Sequence, residues 1–252
     1  MRIRLIIAVL AALVVTACSG GGDTEESGVD TSGLAERLAA AQQVLDDAER
    51  LDVSISTDAL PTGVTGLKSA KGFGNHSPAF EGDVTVVTGG ASLDAEVVAT
   101  GGEVFAKTGF SPVFLSIDPE TLGAPDPANL VGTAGGGLAS VLTEVTITGT
   151  DRSRDGEDVL TSISGTLSGE VIARFLPSAD PDGTFDVTFR LSDDDELRDA
   201  TISGPFYPGA GDVTYTITLQ ASDEPADITA PGRPSRPRRA TGRRDRGSSR
   251  RT

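Results

Sequence analysis

The sequence contains few of the residues on which catalytic and stacking sites depend. Its 252 residues include no tryptophan, one cysteine, one histidine, one methionine, nine phenylalanines and two tyrosines. A single cysteine excludes an intramolecular disulfide and a cysteine-based metal cluster. The shortage of aromatic rings argues against a site that stacks sugars or nucleobases. The core is therefore expected to be built mainly from Val, Leu, Ile and Ala.

Positive charge is also scarce, except at the two ends of the chain. The formal net charge is −16, with +2 on residues 1–18 and +8 on residues 231–252, which leaves −26 on residues 19–230. Nucleic-acid binding requires a basic surface. We therefore expect no nucleic-acid partner.

The N-terminus is typical of a bacterial lipoprotein signal peptide. Arg2 and Arg4 precede an apolar run from Leu5 to Ala17, which is shorter than the roughly 20 residues of a membrane-spanning helix. Small residues then lead into Cys18, the only cysteine, at the position where such signals are cleaved and lipidated. We predict a signal peptide over residues 1–17 and a lipid anchor at Cys18. The alternative is a secretion signal in which the cysteine is incidental.

Composition divides the rest of the chain into three parts. Residues 18–32 are rich in Gly, Ser and acidic residues, which indicates a flexible tether after the lipidated cysteine. Residues 33–230 carry the periodic apolar patterns of one folded domain. Residues 231–252 are Arg-rich without periodicity and indicate a disordered tail. That tail either contacts acidic wall polymer or anionic lipid, or is an extension without a role.

The segment from Ala79 to Gly109 predicts a three-stranded antiparallel meander. Gly89-Gly90 and Gly101-Gly102 supply the positive φ angles that two-residue hairpin loops require. Between these turns apolar and polar residues alternate with a period of two. One face of the meander is therefore apolar and must be buried against another element or a ligand.

The remaining patterns predict an α+β domain with about ten antiparallel strands and a few short helices. We expect a helix over 32–51, short helical turns at Asp118-Pro119 and Asp126-Pro127, and another helix over 168–176. Strands are expected around these elements, with a loop at residues 152–158 and an acidic hairpin tip at Asp193 to Glu196.

The sequence offers little catalytic chemistry. His76 lies in an Asn-His-Ser-Pro turn and there is no Gly-x-Ser-x-Gly nucleophile motif. The acidic tip does not match the spacing of a calcium loop, and Gly135-Gly136-Gly137 is not followed by a phosphate-loop lysine. We therefore expect no enzyme, no cofactor and no metal. Hydrolysis of glycosidic bonds by a pair of carboxylates stays an open alternative, since the chain has 37 acidic residues.

In order along the chain, several motifs resemble the mycobacterial LppX/LprA/LprF/LprG lipoproteins. They are the cysteine signal, the N-terminal helix, the Gly82–Val86 segment before Gly89-Gly90, Asp126-Pro127-Ala128 followed by the 137–142 segment, and Gly165-Thr166-Leu167-Ser168 before a helix. The resemblance covers residues 34 to 231, and the Arg-rich tail departs from it.

This resemblance implies a fold and a binding site. The fold is one strongly curved antiparallel sheet, a half-barrel of the LolA/LolB kind, with short helices across its concave face and a large apolar cavity between them. Val84 is the cavity position that matches the family best. The predicted cavity residues are Val84, Val86, Leu93, Ala95, Val97, Val104, Ala106, Phe114, Leu130, Leu138, Val141, Leu142, Ile147, Ile163, Ile172, Phe175 and Phe189.

The implied function is lipid carriage. The resemblance predicts a monomer that is anchored to the outer face of the cytoplasmic membrane and carries a triacylated glycolipid or another multi-acyl lipid toward the outer envelope. A major-facilitator efflux transporter is the implied protein partner. A domain poor in large side chains would leave space that a lipid could fill. Two alternatives stay open: a structural or transporter-assembly lipoprotein of the cell wall, and a cell-wall hydrolase.

Overall fold

The computed structural model describes residues 31–122, 124–133 and 136–232. Four α-helices lie within these ranges: α1 (Thr31–Asp46), α2 (Pro127–Val131), α3 (Val141–Glu144) and α4 (Gly169–Ala173). Two 3-10 turns, Pro119–Leu122 and Gly137–Ser140, accompany them. The strands are β1 (Arg50–Ser56), β2 (Gly66–Asn75), β3 (Ala79–Thr88), β4 (Ala91–Thr100), β5 (Glu103–Thr108), β6 (Leu115–Ile117), β7 (Thr146–Asp155), β8 (Asp158–Ser168), β9 (Thr184–Leu191), β10 (Leu197–Gly204) and β11 (Val213–Ser222).

All eleven strands form one antiparallel sheet. Their order is β6-β5-β4-β3-β2-β1-β11-β10-β9-β8-β7. Two meanders therefore run outward from the central β1–β11 pair, where Ile55 lies opposite Ile217. Strands β6 and β7 remain as separate edges, so the described sheet is an open, curved half-barrel with the short helices on its concave face. The predicted α+β fold class is confirmed.

The meander from β3 to β5 follows its sequence pattern. Gly89 and Gly90 have φ angles of 57° and 79°, and Gly101 and Gly102 have 63° and 76°. The two hairpins place Thr88 opposite Ala91 and Thr100 opposite Glu103, so each loop has two residues. This geometry matches the hairpin turn in which both central residues have positive φ.

Glycines allow one large side chain to lie flat on the concave face. Gly72 of β2 and Gly82 of β3 are directly opposed. A Cβ atom at Gly72 would lie 2.7 Å from Cζ of Phe80, and one at Gly82 would lie 2.9 Å from the same atom. The Phe80 ring therefore covers the space that two side chains would have occupied, and it is completely buried.

Several sequence-based boundaries were wrong. The first helix ends at Asp46 rather than at residue 51, because Leu51 already pairs with β2 and β11 as part of β1. The segment 152–158 is not a loop: β7 and β8 continue through it and only Gly156 and Glu157 connect them. Strand β6 was not anticipated, since three residues are too few to display a period.

Candidate functional site

The candidate site lies between the concave face of the sheet and the helical segments. A partly open cavity of about 50 Å³, the apolar space, lies there. Its lining comes from the central strands, the segment 125–141 and the region around α4. The lining residues are Ile55, Leu67, Pro125, Leu130, Leu138, Val141, Ile172, Phe175, Leu176, Ile202, Phe206, Tyr215 and Ile217.

The Tyr215 hydroxyl is the one polar side-chain group in this lining, and it is hydrogen-bonded to other groups of the protein. Its hydroxyl donates a hydrogen bond to the carbonyl oxygen of Leu67 and lies 2.9 Å from the hydroxyl of Tyr207. Burial raises the pKa of both phenols, and for Tyr215 the neighbouring Tyr207 raises it further. The cavity therefore presents an uncharged, apolar surface, which suits hydrocarbon.

The helical cover over the cavity is held at defined points. The Asp126 side chain accepts a hydrogen bond of 2.9 Å from the backbone N–H of Ala128, which caps α2 as its sequence predicts. Gly137, with φ 62°, begins the next 3-10 turn against the end of α2. A Cβ atom there would collide with the carbonyl group of Val131, so the close approach requires glycine.

Arg37 connects helix α1 to β8 and to the turn between β9 and β10. The Arg37 guanidinium donates to the Asp195 carboxylate, to the Thr161 hydroxyl at 2.8 Å and to the Ser192 carbonyl at 2.6 Å. The acidic tip at 193–196 is therefore engaged in ion pairs, since Arg152 also binds Asp193 at 2.9 Å. Among the described residues, no group of three or more His, Cys, Asp or Glu side chains is placed to hold a metal ion.

His76 is half-buried and faces two backbone carbonyls. Its Nε2 lies 3.1 Å from the oxygen of Leu45 and its Nδ1 lies 3.4 Å from the oxygen of Gly132. The turn that the sequence indicated at His76 is present between β2 and β3, and the ring is half-buried there. The ring connects the β2–β3 turn to the ends of α1 and α2.

The predicted cavity residues fall into three groups. Those around the apolar space are Leu130, Leu138, Val141, Ile172 and Phe175, and Leu142 and Phe189 border a second space of about 10 Å³. Those buried without bordering either space are Val84, Val86, Val97, Val104, Ala106 and Ile163. The half-buried ones are Leu93, Ala95, Phe114 and Ile147. Their roles in lipid binding stay predictions.

Sequence reasoning missed eight of the thirteen lining residues. The alternating pattern of β1, β10 and β11 could have indicated Ile55, Ile202 and Tyr215, because each lies on an apolar strand face. Pro125 and Phe206 lie in connecting segments, where no period distinguishes an inward side chain from an outward one.

The volume differs from the large cavity that the resemblance implied. The space is about 50 Å³, because buried aromatic rings fill much of the interior. These are Phe80, Phe175, Phe185, Phe189, Phe206, Tyr207 and Tyr215. A shortage of aromatic residues in the whole chain did not mean a shortage in the core.

The predicted signal peptide, Cys18, most of the tether and nearly all of the Arg-rich tail lie outside the described residues. Within the described part, no helix has the length and apolar character needed to cross a membrane.

Comparison with solved structures places the fold beside two mycobacterial lipoproteins. LprF from Mycobacterium bovis matches with a TM-score of 0.58 at 18% identity, over 79% of this chain and 97% of that one. LppX from Mycobacterium tuberculosis matches with a TM-score of 0.54 at 14% identity, over 78% and 98% of the two chains. At these identities the likeness concerns the fold.

Sequence comparison gives the same relationship independently. No curated protein sequence matches the chain. The family model of the LppX_LprAFG lipoproteins, however, matches residues 34–229, which is the whole folded domain. The chain belongs to the LppX_LprAFG lipoprotein family.

Proposed function

We propose that this protein binds the acyl chains of a lipid between its curved sheet and its short helices, and that it carries the lipid from the cytoplasmic membrane toward the outer envelope. The cargo is a triacylated glycolipid or another multi-acyl lipid. A lipid anchor on Cys18 holds the protein at the outer face of the membrane, where it acts as a monomer. A major-facilitator efflux transporter is its proposed partner.

The lining of the apolar space is the observation that carries this proposal. Thirteen residues surround it, and the single polar group among their side chains, the Tyr215 hydroxyl, is bonded to Leu67. An apolar space of this kind stays dry and takes apolar ligands. Burial of hydrocarbon contributes about 25 cal/mol per Å² of apolar surface, so long acyl chains would supply a large driving force.

Carriage requires the site to expand. Ligand pockets usually measure about 300–1,000 Å³, whereas the apolar space is about 50 Å³. The segment Pro112–Leu142 is the proposed lid. It carries Leu130, Leu138 and Val141 on one side of the space, whereas the opposite side is formed by strands of a continuous sheet. Outward displacement of its helical part, α2 with the turn Gly137–Ser140 and α3, would open the space without breaking a strand pair, because β6 lies before this part.

The position of His76 supports a binding role over a hydrolytic one. Both ring nitrogens face carbonyl oxygens of the main chain, at 3.1 Å and 3.4 Å. A general base must instead be within reach of the nucleophile that it activates. The site offers apolar surface rather than an available general base, which favours lipid binding over hydrolysis.

Transfer between vesicles tests carriage. Donor vesicles would contain a fluorescent triacylated lipid, and acceptor vesicles would contain a quencher. We expect residues 31–232 to accelerate transfer in proportion to protein concentration. Transfer no faster than in the absence of protein would contradict carriage.

A further inference from the structure

The loop between β5 and β6 exposes an unusual amount of apolar surface. Phe110 is 91% exposed, Val113 45% and Leu115 53%; Val44 of α1, at 42%, is the one other large hydrophobic side chain that is exposed among the described residues. We call the segment from Thr108 to Leu115 the apolar tip. A phenylalanine with nine-tenths of its surface in water indicates a surface that acts in contact with something else.

The apolar tip also lacks charge. No Asp, Glu, Lys or Arg occurs between Lys107 and Asp118, in a chain in which 23% of residues are charged. Lys107 is itself neutralised, since its ammonium group lies 2.9 Å from both carboxylate oxygens of Glu96. The tip therefore has no charge to desolvate, in contrast to the acidic remainder of the domain.

Part of the backbone of the apolar tip is hydrogen-bonded to groups within the tip itself. The N–H of Ser111 donates to the Thr108 carbonyl at 3.0 Å, and the N–H of Phe110 donates to the Thr108 hydroxyl at 3.3 Å. The Ser111 hydroxyl donates to the Val113 carbonyl at 2.9 Å. Pro112 carries no N–H at all. These features lower the cost of moving a loop from water into the interfacial region of a bilayer, where unpaired backbone groups are penalised.

We propose that the apolar tip is a membrane-contact site that inserts Phe110, with Val113 and Leu115, into the interface of a zwitterionic bilayer. The tip connects to β6, an edge strand of the sheet, so it lies at one end of the fold. This inference rests on the proposed anchor at Cys18 but not on lipid carriage.

The length of chain between Cys18 and Thr31 allows this contact. Thirteen residue steps span at most roughly 45 Å when fully extended. A domain of this size has a radius of gyration of about 16 Å. The tether is thus long enough for the domain to turn an edge toward the bilayer, and anchoring keeps the tip at high local concentration there. The acidic body favours zwitterionic over anionic lipid, because like charges repel.

A fluorescent probe at the tip tests the proposal in the full, lipid-anchored chain. Since Cys18 is the only native cysteine and its thiol is consumed by lipidation, one introduced cysteine can be labelled selectively. Gly109→Cys suits this purpose, because a Cβ atom there meets nothing within 4 Å. Ser153→Cys, on an exposed position of the opposite edge strand β7, is the matched control.

Each labelled chain is reconstituted into phosphatidylcholine vesicles that contain nitroxide-labelled phosphatidylcholine and no cargo lipid. We expect the probe at residue 109 to be quenched severalfold more than the probe at residue 153. Adding Phe110→Ser should reduce quenching at residue 109 to the level of the control. Phosphatidylglycerol in the vesicles should weaken quenching at low salt.

Equal quenching at the two positions would overturn the proposal. Unchanged quenching at residue 109 after Phe110→Ser would also overturn it. Low quenching together with self-association that Phe110→Ser abolishes would overturn it as well, since the tip would then be a protein contact. A chain that does not float with the vesicles lacks the anchor. The two positions are then labelled in chains that also carry Cys18→Ser, these chains are titrated with the same vesicles, and the same comparison decides. Because no cargo is present, failure here is distinct from failure of carriage.

Discussion

The hydroxyl groups of Tyr207 and Tyr215 lie 2.9 Å apart on the concave side of the sheet. These are the only two tyrosines of the chain. Tyr215, which lines the apolar space, also donates to the carbonyl oxygen of Leu67 on β2, a residue of the same lining. Each phenol serves as the partner that the other requires when both are withdrawn from water.

This pair predicts a loss of stability in alkali. Burial raises the pKa of both phenols, whereas in the unfolded chain they ionise near pH 10. Above that pH the unfolded state binds fewer protons than the folded state, so the free energy of unfolding falls as pH rises. The expected slope is about 1.4 kcal/mol per pH unit for each tyrosine.

Chemical denaturation at a series of pH values, with tyrosinate absorbance as a second signal, measures this effect. Tyr207→Phe should remove about half of the tyrosine contribution to the slope. Ionisation of both tyrosines near pH 10 in the folded protein would contradict the buried pair.

Phe80 should be among the most costly side chains to remove. Its ring fills the space above Gly72 and Gly82, neither of which has a side chain to replace it. We expect Phe80→Ala to lower the free energy of unfolding by about 3–5 kcal/mol. Phe73→Ala is the control: Phe73 is half-buried under the Arg50 guanidinium, so its loss should cost clearly less. Equal losses would show that Phe80 does not fill a gap.

His76 should matter for stability rather than for chemistry. His76→Ala removes the contacts to Leu45 and Gly132, and we expect a loss of about 1–3 kcal/mol in the free energy of unfolding. The exposed neighbour Ser77 provides the control, since Ser77→Ala should change stability by less than about 0.5 kcal/mol. Ester or glycan hydrolysis that disappears in His76→Ala would instead support an enzyme.

Substitutions at Val141 and Val84 distinguish the two parts of the predicted cavity. Both are buried valines, at 4% and 7% exposure, but only Val141 borders the apolar space. We expect Val141→Trp to lower lipid loading severalfold, and Val84→Trp to leave loading nearly unchanged. Overpacking should cost each variant about 1–3 kcal/mol of stability. A larger loss of loading in Val84→Trp than in Val141→Trp would place the lipid under β3 and would contradict our assignment.

Local chemistry predicted part of this structure well. The Gly-Gly turns and the strand alternation between them specified the β3–β5 meander, because a two-residue loop determines which residues face each other. Asp126 and Pro127 correctly marked the start of α2, since the cap and the missing N–H act within one helical turn.

Relationships between distant residues were beyond the sequence. The pairing of β1 with β11 joins residues about 165 positions apart, and no local pattern encodes it. The small cavity volume depends on where the buried rings lie, Phe80 on β3 and Phe185 and Phe189 on β9, whereas composition counts rings without placing them. The exposed Phe110 also gave no signal, because its residue type alone predicts burial.

Native mass spectrometry of the chain from Thr31 to Gly232, purified from an actinobacterial host without detergent, tests the central claim most directly. Our account predicts a population of protein that carries the added mass of one acylated lipid, and loss of this population in Val141→Trp but not in Val84→Trp. Recovery of the bare polypeptide mass alone, from protein that is folded, would contradict lipid binding between the sheet and its helices.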